Sequence, residues 1–474
     1  MKLPHAAVLA LLPAAIAFSA GVVAQETVAR RYTETSLGPM PEEAYDSAVI
    51  SPDGRRIAYL RQIGDQQAAV FDGVAEKPYD QIAGLTFSPN SQWHAYAAAT
   101  GDRWMIVVNG REQPTFDRIG PPVFSPDSRR LAYVALLGDG EQRAVVEVKQ
   151  PPGKAYEAIF EGRIVFSPDS RRIAYGARRG DGWFLVVDGE ESGPFDFLGS
   201  SSGIHFSPDG NRVALAAWVQ AQNKWHVVVD GKSGKLYDQI GDLTFSPDGK
   251  RLAYTASQGG TWQVVLDGEA PPPEVNRYDA LGEGTLQFSP DGRHVAYAAR
   301  SGEKWMAVVD GHAFKPYDGV AEMKFSPDSR FLAYVVKLGT AEMVVVNDRQ
   351  QKLYDRIGGG TLVFSPNSQR LGYIARVGDD AVAVVGNTSG KPYDMAGYLA
   401  FTPDSRHYVY AATEGEEAFT LVDGQEAGHR YEAIWNVPQS GLLFDSASKF
   451  HYLALKDGNV YLVEEEISAS LDDP

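Results

Sequence analysis

A short motif that recurs along almost the whole chain constrains the fold more than any other feature of the sequence. The tetrapeptide Phe-Ser-Pro-Asp, or a close variant, occurs ten times at steps of 37 to 43 residues. An aromatic residue followed by an acid interleaves with it eleven times, from Tyr45-Asp46 to Tyr431-Glu432. The turn prolines are Pro52, Pro89, Pro126, Pro168, Pro208, Pro247, Pro290, Pro327, Pro366 and Pro403. Self-similarity at this period predicts a repeat architecture in which each unit packs on its neighbours.

Each unit predicts four short strands. In one unit, strand a at 241–245 leads into the turn Ser246-Pro247-Asp248-Gly249, in which proline fixes one backbone angle. Strand b follows at 251–255 and strand c at 262–266, rich in branched and aromatic residues. Asp267-Gly268 predicts a hairpin turn with positive φ, and the aromatic-acid pair then falls in strand d. Four-strand units of about 40 residues predict an all-β protein, a β-propeller of about eleven four-stranded repeats.

The string Ser-Pro-Asp-Gly, two basic residues, Ile or Leu, Ala and Tyr is complete at 51–59 and 246–254. It resembles the TolB-like (WD-like) β-propeller repeat family, over about residues 45–466. The resemblance implies a propeller fold and association with the cell envelope. TolB carries an α/β domain before its propeller, and the related peptidases carry an α/β-hydrolase domain after theirs. Neither has room before residue 45 or after residue 466, so the resemblance does not extend to the enzymes of the family.

The number of repeats leaves two arrangements open, since propellers usually have 4 to 8 blades. Two tandem propellers are favoured, with repeats 1–6 at 45–275 and repeats 7–11 at 276–466, because Pro271-Pro272-Pro273 is the only proline-rich insertion. One oversized ring is the alternative. The last unit lacks a strand d, and the alternating stretch 31–37, within the N-terminal segment 25–44, could supply it. Residues 467–474 form a C-terminal tail.

The N-terminus and the composition point to an exported protein. Residues 1–24 combine Lys2, an apolar stretch and small residues before Gln25, which predicts a cleaved signal peptide. The apolar stretch is too short to span a bilayer and no cysteine is present to carry a lipid, so we expect a secreted or periplasmic protein with neither membrane span nor lipid anchor. A net charge of -17 excludes a nucleic-acid partner.

The connections from the aromatic-acid pair to the next turn proline vary most in length, and variable loops on a constant scaffold are candidates for binding. The two longest are Asp196–Gly203 and Glu432–Gly441. The predicted binding residues in or next to them are Trp435, Asn436, Gln439, Ser200, Ser201, Ser202 and His205. The first loop matches the Gly-x-Ser-x-Gly nucleophile elbow formally, but that elbow needs a strand-to-helix turn, and here strand follows strand.

Other polar residues predict structure rather than chemistry. The nine histidines are scattered without zinc-site spacing, so no metal site, no cofactor and no catalytic residue are predicted. The acid that follows the aromatic residue recurs in every unit, whereas a catalytic acid is needed once, so we expect it to bond backbone or turn groups. Basic pairs such as Arg55-Arg56 and Arg171-Arg172 follow the Ser-Pro-Asp turn. They predict a basic rim that holds an anionic polymer or, alternatively, solvated strand ends paired with aspartate.

The leading hypothesis is an exported, non-enzymatic propeller that acts as a protein-protein interaction or scaffold module and binds an unknown protein of the cell envelope. The alternative is a propeller lyase or hydrolase, or a binding module, that acts on an envelope polysaccharide or another anionic ligand. A compact cluster of a histidine, an arginine and acids at one channel opening would favour the enzyme.

Overall fold

The protein is described by a computed structural model that covers residues 28–138, 140–146, 154–160, 164–199, 203–271, 276–435 and 442–468. Its regular structure is almost entirely β-strand, in eleven antiparallel sheets that form the blades of a β-propeller. Chain order gives spatial order within a blade, from strand a at the channel to strand d at the outside. The prediction of an all-β propeller of eleven repeats is confirmed.

In several blades strand a is divided into two pieces. The strands of blades 1 to 5, in the order a to d, are Val49–Ile50, Ile57–Ile63, Gln66–Phe71 and Val74–Ala75; Gln81–Phe87, His94–Thr100, Arg103–Val108 and Arg111–Glu112; Arg118–Ile119 with Val123–Phe124, Leu131–Leu136 and Gln142–Val146; Ala158–Ile159 with Val165–Phe166, Ile173–Arg179, Gly182–Val187 and Glu190–Phe195; Phe197–Leu198 with His205–Phe206, Val213–Val219, Lys224–Val229 and Lys232–Ser233.

The strands of blades 6 to 10, in the same order, are Gln239–Phe245, Leu252–Gln258 and Thr261–Leu266; Ala280–Leu281 with Gln287–Phe288, Val295–Ser301, Lys304–Val309 and His312–Ala313; Gly319–Phe325, Leu332–Leu338, Ala341–Val346 and Arg349–Tyr354; Arg356–Ile357 with Val363–Phe364, Leu371–Val377, Asp380–Val385 and Thr388–Tyr393; Met395–Phe401, Tyr408–Glu414, Glu417–Val422 and Gln425–Glu426. Two 3-10 helices, Glu42–Ser47 and Gln220–Gln222, complete the regular structure of the described residues together with blade 11.

Blade 11 is built from both ends of the chain. Its strands a, b and c are Ala433–Trp435 with Leu443–Phe444, Lys449–Lys456 and Asn459–Ser468. Its strand d is Ala29–Pro39, here called the closing strand, which pairs antiparallel with strand c from Ala29 opposite Ser468 to Pro39 opposite Asn459. The N-terminal strand therefore fills the outer position that the last repeat lacks.

An apolar core lies between every pair of neighbouring blades. Eleven buried clusters each combine residues of two consecutive blades. One of them joins blade 11 to blade 1 through Leu453 and Tyr59. Another joins blades 6 and 7 through Ala253 and Tyr297, across the proline-rich stretch near residue 275. The blades therefore form one closed ring, which corrects the preference for two tandem propellers.

Two aromatic residues of the repeat, usually tyrosines, anchor most of the cores. The tyrosine of strand b is fully buried in most blades, as at Tyr96. The aromatic residue of the preceding aromatic-acid pair packs edge-on against it, with 6.2 Å between the ring centroids of Tyr79 and Tyr96. The Tyr79 hydroxyl then donates to Glu112 in strand d of blade 2 at 3.0 Å. The hydroxyls of Tyr156, Tyr393 and Tyr431 donate to an acid in the same way, so these repeats fix the next blade by burial and by a hydrogen bond.

The order of strands gives the ring two different faces. Antiparallel strands alternate direction, so the a-to-b and c-to-d turns lie on one face, here called the Ser-Pro-Asp face. The b-to-c turns and the connections from strand d to the next blade lie on the opposite face, here called the crossover face. Hydrogen bonds support this division: Asp72 in a c-to-d turn accepts from the backbone N–H of Ile57, which follows an a-to-b turn, at 3.0 Å.

Candidate functional site

The Ser-Pro-Asp face is occupied by bonds that shape the turns and join the blades. In blade 1 the Ser51 hydroxyl donates to Asp53 at 2.5 Å and accepts from the backbone N–H of Arg56 at 3.0 Å. The backbone N–H of Asp53 donates to the Ser91 hydroxyl of blade 2, also at 3.0 Å. Bonds of this interblade kind recur wherever the next turn carries serine at the fourth position. These polar groups therefore serve the scaffold.

The basic pairs of this face divide into two sets. The second residue of a pair is an interblade contact: Arg172 donates to Asp188 at 3.0 Å and to the Asn211 carbonyl of blade 5 at 2.8 Å, and its guanidinium lies 5.7 Å from the centroid of the Phe206 ring. Five other arginines stack on a phenylalanine of the next blade in this way, namely Arg56, Arg130, Arg212, Arg251 and Arg370. This half of the predicted basic rim is structural.

The first basic residue after the turn is largely exposed in four blades, whereas Arg55 of blade 1 is held by Asp445 and Glu464 of blade 11 at 2.9 Å. The side chains of Arg171, Lys250, Arg293 and Arg406 are 81 to 85% exposed, each with a charged nitrogen 3.5 to 3.8 Å from the aspartate of its own turn. Exposed pairs of this kind contribute little energy. The Ser-Pro-Asp face therefore carries alternating aspartates and cations rather than an uninterrupted positive rim.

On the crossover face, the repeated acid holds the b-to-c turns in place. Asp80 accepts from the backbone N–H of Gly101 at 2.7 Å, and Asp238 and Asp318 accept from Gly259 and Gly339 at 2.6 Å. The same bond recurs at Glu157, Asp196, Asp279, Asp355, Asp394 and Glu432. The prediction that these acids bond turn groups is confirmed.

Most of the exposed large apolar side chains lie on the crossover face or its channel rim. Eleven such side chains are found in the described residues. Seven belong to b-to-c turns, to starts of strand a or to the segment before strand a of blade 1: Tyr45, Ile63, Phe197, Leu338, Val377, Met395 and Tyr398. Only Val74 and Trp93 lie at turns of the Ser-Pro-Asp face. An apolar surface concentrated on one face is characteristic of an interaction site.

Four of these apolar residues belong to three consecutive blades. Leu338 and Val377 end strand b of blades 8 and 9, while Met395 and Tyr398 lie in strand a of blade 10. Met395 is 59% exposed and Tyr398 43%. The carboxylates of Asp379, Asp380 and Glu416 stand in the b-to-c turns beside them and are exposed. We call these seven residues the blade 8–10 patch.

The carboxylates of the blade 8–10 patch are available to a ligand. Within the described part of the chain, Asp379, Asp380 and Glu416 form no side-chain hydrogen bond or ion pair. Neighbouring acids differ, because Glu414 lies 3.4 Å from Lys391 and Glu417 lies 3.7 Å from Arg430. The patch therefore combines apolar side chains with unneutralised negative charge.

Of the residues that the sequence predicts for binding, the structure describes Trp435 and His205, which lie in different blades. Trp435 is half-buried at the junction of blades 11 and 1, where its ring meets Tyr45 edge-on at 5.8 Å. His205 is half-buried in strand a of blade 5, opposite Ala214. Blades 5 and 11 lie on nearly opposite sides of the ring. Ser200, Ser201, Ser202, Asn436 and Gln439 lie outside the described residues, so their binding role stays a prediction.

Two compact clusters combine an acid, an arginine and a histidine: Arg55, Asp445 and His451 join the turns of blades 1 and 11 on the Ser-Pro-Asp face, and the other cluster is buried between blades 10 and 11. Glu465 of strand c in blade 11 accepts from Arg30 of the closing strand at 2.9 Å, from Thr420 at 2.6 Å and from Tyr452 at 2.9 Å, and lies 3.3 Å from His429. Its side chain is fully buried. The cluster joins the outer strands of blades 10 and 11 and is not at a channel opening.

The charge of Glu465 is kept in spite of burial. Burial alone would raise the pKa of this carboxyl, but the hydrogen bond from His429, the charge of Arg30 and the hydroxyl of Thr420 together hold the pKa at about 2. A carboxylate with so low a pKa and no access to solvent is a poor proton donor or acceptor near neutral pH. The cluster therefore stabilises the ring closure and is not suited to acid-base catalysis.

The described residues contain no group of three or more histidines, cysteines or acids placed to hold a metal ion. Within the same ranges, no helix has the length and apolarity needed to cross a membrane.

The fold is an eleven-bladed β-propeller in which most of the exposed large apolar side chains of the described residues lie on one face or its channel rim. No protein-family model and no curated protein matches the sequence. The chain is similar to solved propeller structures, among them a eukaryotic initiation factor (14% identity, TM-score 0.39, 65% of this chain and 86% of that chain) and the Dos1 propeller (12%, 0.33, 63% and 90%). TolB from Acinetobacter baumannii is a further match (14%, 0.26, 65% and 80%). Similarity at this level assigns no function.

Loop length does not predict the blade 8–10 patch, because its residues lie in strands and turns whose length is nearly constant among the blades. The relevant position is the last residue of strand b. It is Leu338 in blade 8 and Val377 in blade 9, whereas blades 2, 7 and 10 carry Thr100, Ser301 and Glu414. Ile63 of blade 1 and Val219 of blade 5 also end their strand b with an apolar residue, so the identity of this residue does not by itself single out blades 8 and 9.

Proposed function

We propose that this protein is an exported, non-enzymatic β-propeller that binds another protein of the cell envelope through its crossover face. The observation that carries the proposal is the position of the exposed apolar side chains, most of which lie on that face and its channel rim. Protein interfaces are enriched in such side chains at their centre. The opposite face directs its polar groups into turn and interblade bonds.

Three further features support the same proposal. The acid-histidine-arginine cluster around Glu465 is buried at the ring closure, and in a second cluster Arg55, Asp445 and His451 are engaged in bonds between blades 11 and 1. The sequence of residues 1–24 has the pattern of a signal peptide. The Ser-Pro-Asp repeat resembles the repeat of the TolB-like family, whose members are associated with the cell envelope. A large ring without disulfides, held by eleven interblade cores, suits a scaffold that presents a fixed surface.

Position-specific photo-crosslinking in the native cell envelope tests the proposal. A benzoylphenylalanine at Met395 samples the crossover face, and one at Val74, which is 70% exposed on the other face, is the matched control. We expect a protein adduct of defined mass from position 395 and none from position 74. Equal adduct yields from both positions, or none from any crossover-face position, would overturn the proposal.

A second candidate is favoured by the exposed first residues of the basic pairs. Arg171, Lys250 and Arg293 extend from blades 4, 6 and 7 on the Ser-Pro-Asp face. They would serve an anionic envelope polymer, whose repeated charges match a repeated cation. Binding to immobilised anionic polysaccharide that falls when these residues are changed to glutamine supports this candidate. Binding that is unaffected by the change and by salt excludes it.

A further inference from the structure

We propose that the blade 8–10 patch recognises a segment of a partner protein in which Lys or Arg side chains alternate with apolar ones. This inference rests on the proposed function and adds the place of contact and the chemistry of the partner.

The patch is pre-organised by the bonds that hold its turns. Asp318, Asp355 and Asp394 accept from the backbone N–H groups of Gly339, Gly378 and Gly415 at 2.6 to 2.7 Å, so each of the three b-to-c turns is fixed to the connection that enters its own blade. A surface that is already ordered loses little entropy when a partner binds. Exposed apolar side chains on such turns are therefore presented in fixed positions.

Val377 and Met395 are connected across blades 9 and 10 by one guanidinium. Arg376, next to Val377, donates to the carbonyl of Asp379 at 2.6 Å and to the carbonyl of Asp394, next to Met395, at 3.1 Å. Its hydrogen bonds go to backbone carbonyls, and none is made to the carboxylates of Asp379 or Asp380. Apolar and anionic groups thus occur side by side on one rigid element.

The combination of apolar side chains and carboxylates in the blade 8–10 patch favours some kinds of partner over others by their charge. An anionic lipid surface or a nucleic acid is repelled by Asp379, Asp380 and Glu416 and by the net charge of -17. A purely apolar segment leaves those carboxylates to be desolvated without a partner. A segment that alternates cations with apolar side chains neutralises the acids and also buries Leu338, Val377, Met395 and Tyr398.

The test measures binding of the mature full-length chain to a fluorescein-labelled 12-residue peptide of alternating lysine and leucine, by fluorescence anisotropy. A lysine-serine peptide and a glutamate-leucine peptide of the same length are the reference probes. We expect the lysine-leucine peptide to bind at least about tenfold more tightly than either reference, with affinity that falls as salt rises.

Two sets of variants locate the binding. D379N/D380N/E416Q and V377S/M395S are each expected to weaken binding of the lysine-leucine peptide about tenfold. D102N/D181N/E303Q removes the same charge from b-to-c turns of blades 2, 4 and 7, which carry no exposed large apolar residue, and should change affinity less than about twofold. All these side chains are exposed, so an unchanged urea midpoint verifies that each variant is folded.

Equal losses in the two charge triples, or equal binding of the lysine-leucine and lysine-serine peptides, would overturn the inference, because binding would then follow net charge alone. Adducts at other crossover-face positions but not at Met395 in the envelope would leave the proposed function standing and overturn this inference. Loss of adducts at every crossover-face position would instead contradict the proposed function.

Discussion

Arg30 and Glu465 form a buried ion pair that joins the first strand of the ring to the last. Arg30 lies in the closing strand and Glu465 in strand c of blade 11, with 2.9 Å between the arginine Nε and the carboxylate. The same guanidinium donates to the backbone carbonyls of Thr420 and Gln425 in blade 10 at 3.3 and 3.2 Å. One side chain near the N-terminus therefore connects both blades on which the closure depends.

Removing the charge of Glu465 should destabilise the protein strongly. Glu465→Gln leaves Arg30 buried without its counter-ion, for which a loss of about 3–5 kcal/mol is expected. Glu466→Gln, at the next position, removes a half-exposed partner of Lys449 and should cost less than about 1 kcal/mol. Urea unfolding at neutral pH measures both, and equal midpoints for the two variants would show that the buried pair does not hold the ring.

The same carboxylate predicts how stability depends on pH. The folded-state pKa of Glu465, about 2, lies below the ordinary value of 4.5, so the unfolded chain binds its proton first as the pH falls. The stabilisation is complete above about pH 4.5 and is lost progressively as the pH falls toward 2. The urea midpoint of the wild type should therefore fall more steeply over this range than that of Glu465→Gln. Parallel curves would contradict the assignment.

Adjacent arginines of one turn should behave differently. Arg172→Gln removes contacts with Asp188, with the Asn211 carbonyl and with the Phe206 ring, and should lower the free energy of unfolding by about 1–2 kcal/mol. Arg171→Gln alters a side chain that is 85% exposed and should stay within about 0.5 kcal/mol of the wild type. Chemical denaturation compares them. Equal effects would mean that the second basic residue is not an interblade contact.

Substitution of two glycines with similar backbone angles distinguishes the cost of backbone strain from the cost of a clash between blades. Gly210 has φ +74°, and a Cβ there would lie 2.5 Å from Asp169 Oδ1 of the preceding blade. Gly180 has φ +60° with no atom within 4 Å of such a Cβ. Gly180→Ala should cost about 1 kcal/mol from backbone strain alone, and Gly210→Ala clearly more. Thermal unfolding compares the two variants. Identical losses of stability would show that the Asp169 side chain moves aside without an energetic cost.

The sequence was most informative where the same interaction is repeated. The Ser-Pro-Asp and Asp-Gly turns, the four strands and the role of acids such as Asp80 all follow from short-range patterns that each blade uses. Ring size does not, because it depends on the small angle between neighbouring blades, which accumulates over the whole chain. Residues 31–37 were a candidate for the strand d that the last unit lacks, and the pairing of Ala29–Pro39 with Asn459–Ser468 confirms that alternative.

The candidate surface was harder to predict than the fold. The sequence-based prediction of binding residues relied on the length of the loops that carry Ser200 and Asn436. The exposed apolar residues of the blade 8–10 patch lie in strands and turns whose length is nearly constant among the blades. Leu338 and Val377 are exposed, whereas Val219, which also ends strand b in its blade, is half-buried. Whether such a residue is covered or exposed depends on the neighbouring blade, so the local sequence leaves it undetermined. Trp435 shows the reverse case, since an aromatic residue in a long loop packs against Tyr45 at the closure.

The closed single ring is the basis of the whole account, and a disulfide across its closure tests it most directly. Thr35 and Leu462 are opposite one another in the pairing of the closing strand with strand c of blade 11. Directly opposed antiparallel residues have Cα separations that suit a disulfide. The chain has no cysteine of its own, so the T35C/L462C variant carries a single reactive pair. We expect oxidation to give a monomeric disulfide in high yield and to raise the urea midpoint. Free thiols, or bonds only between molecules, would contradict closure of the ring by its N-terminal strand.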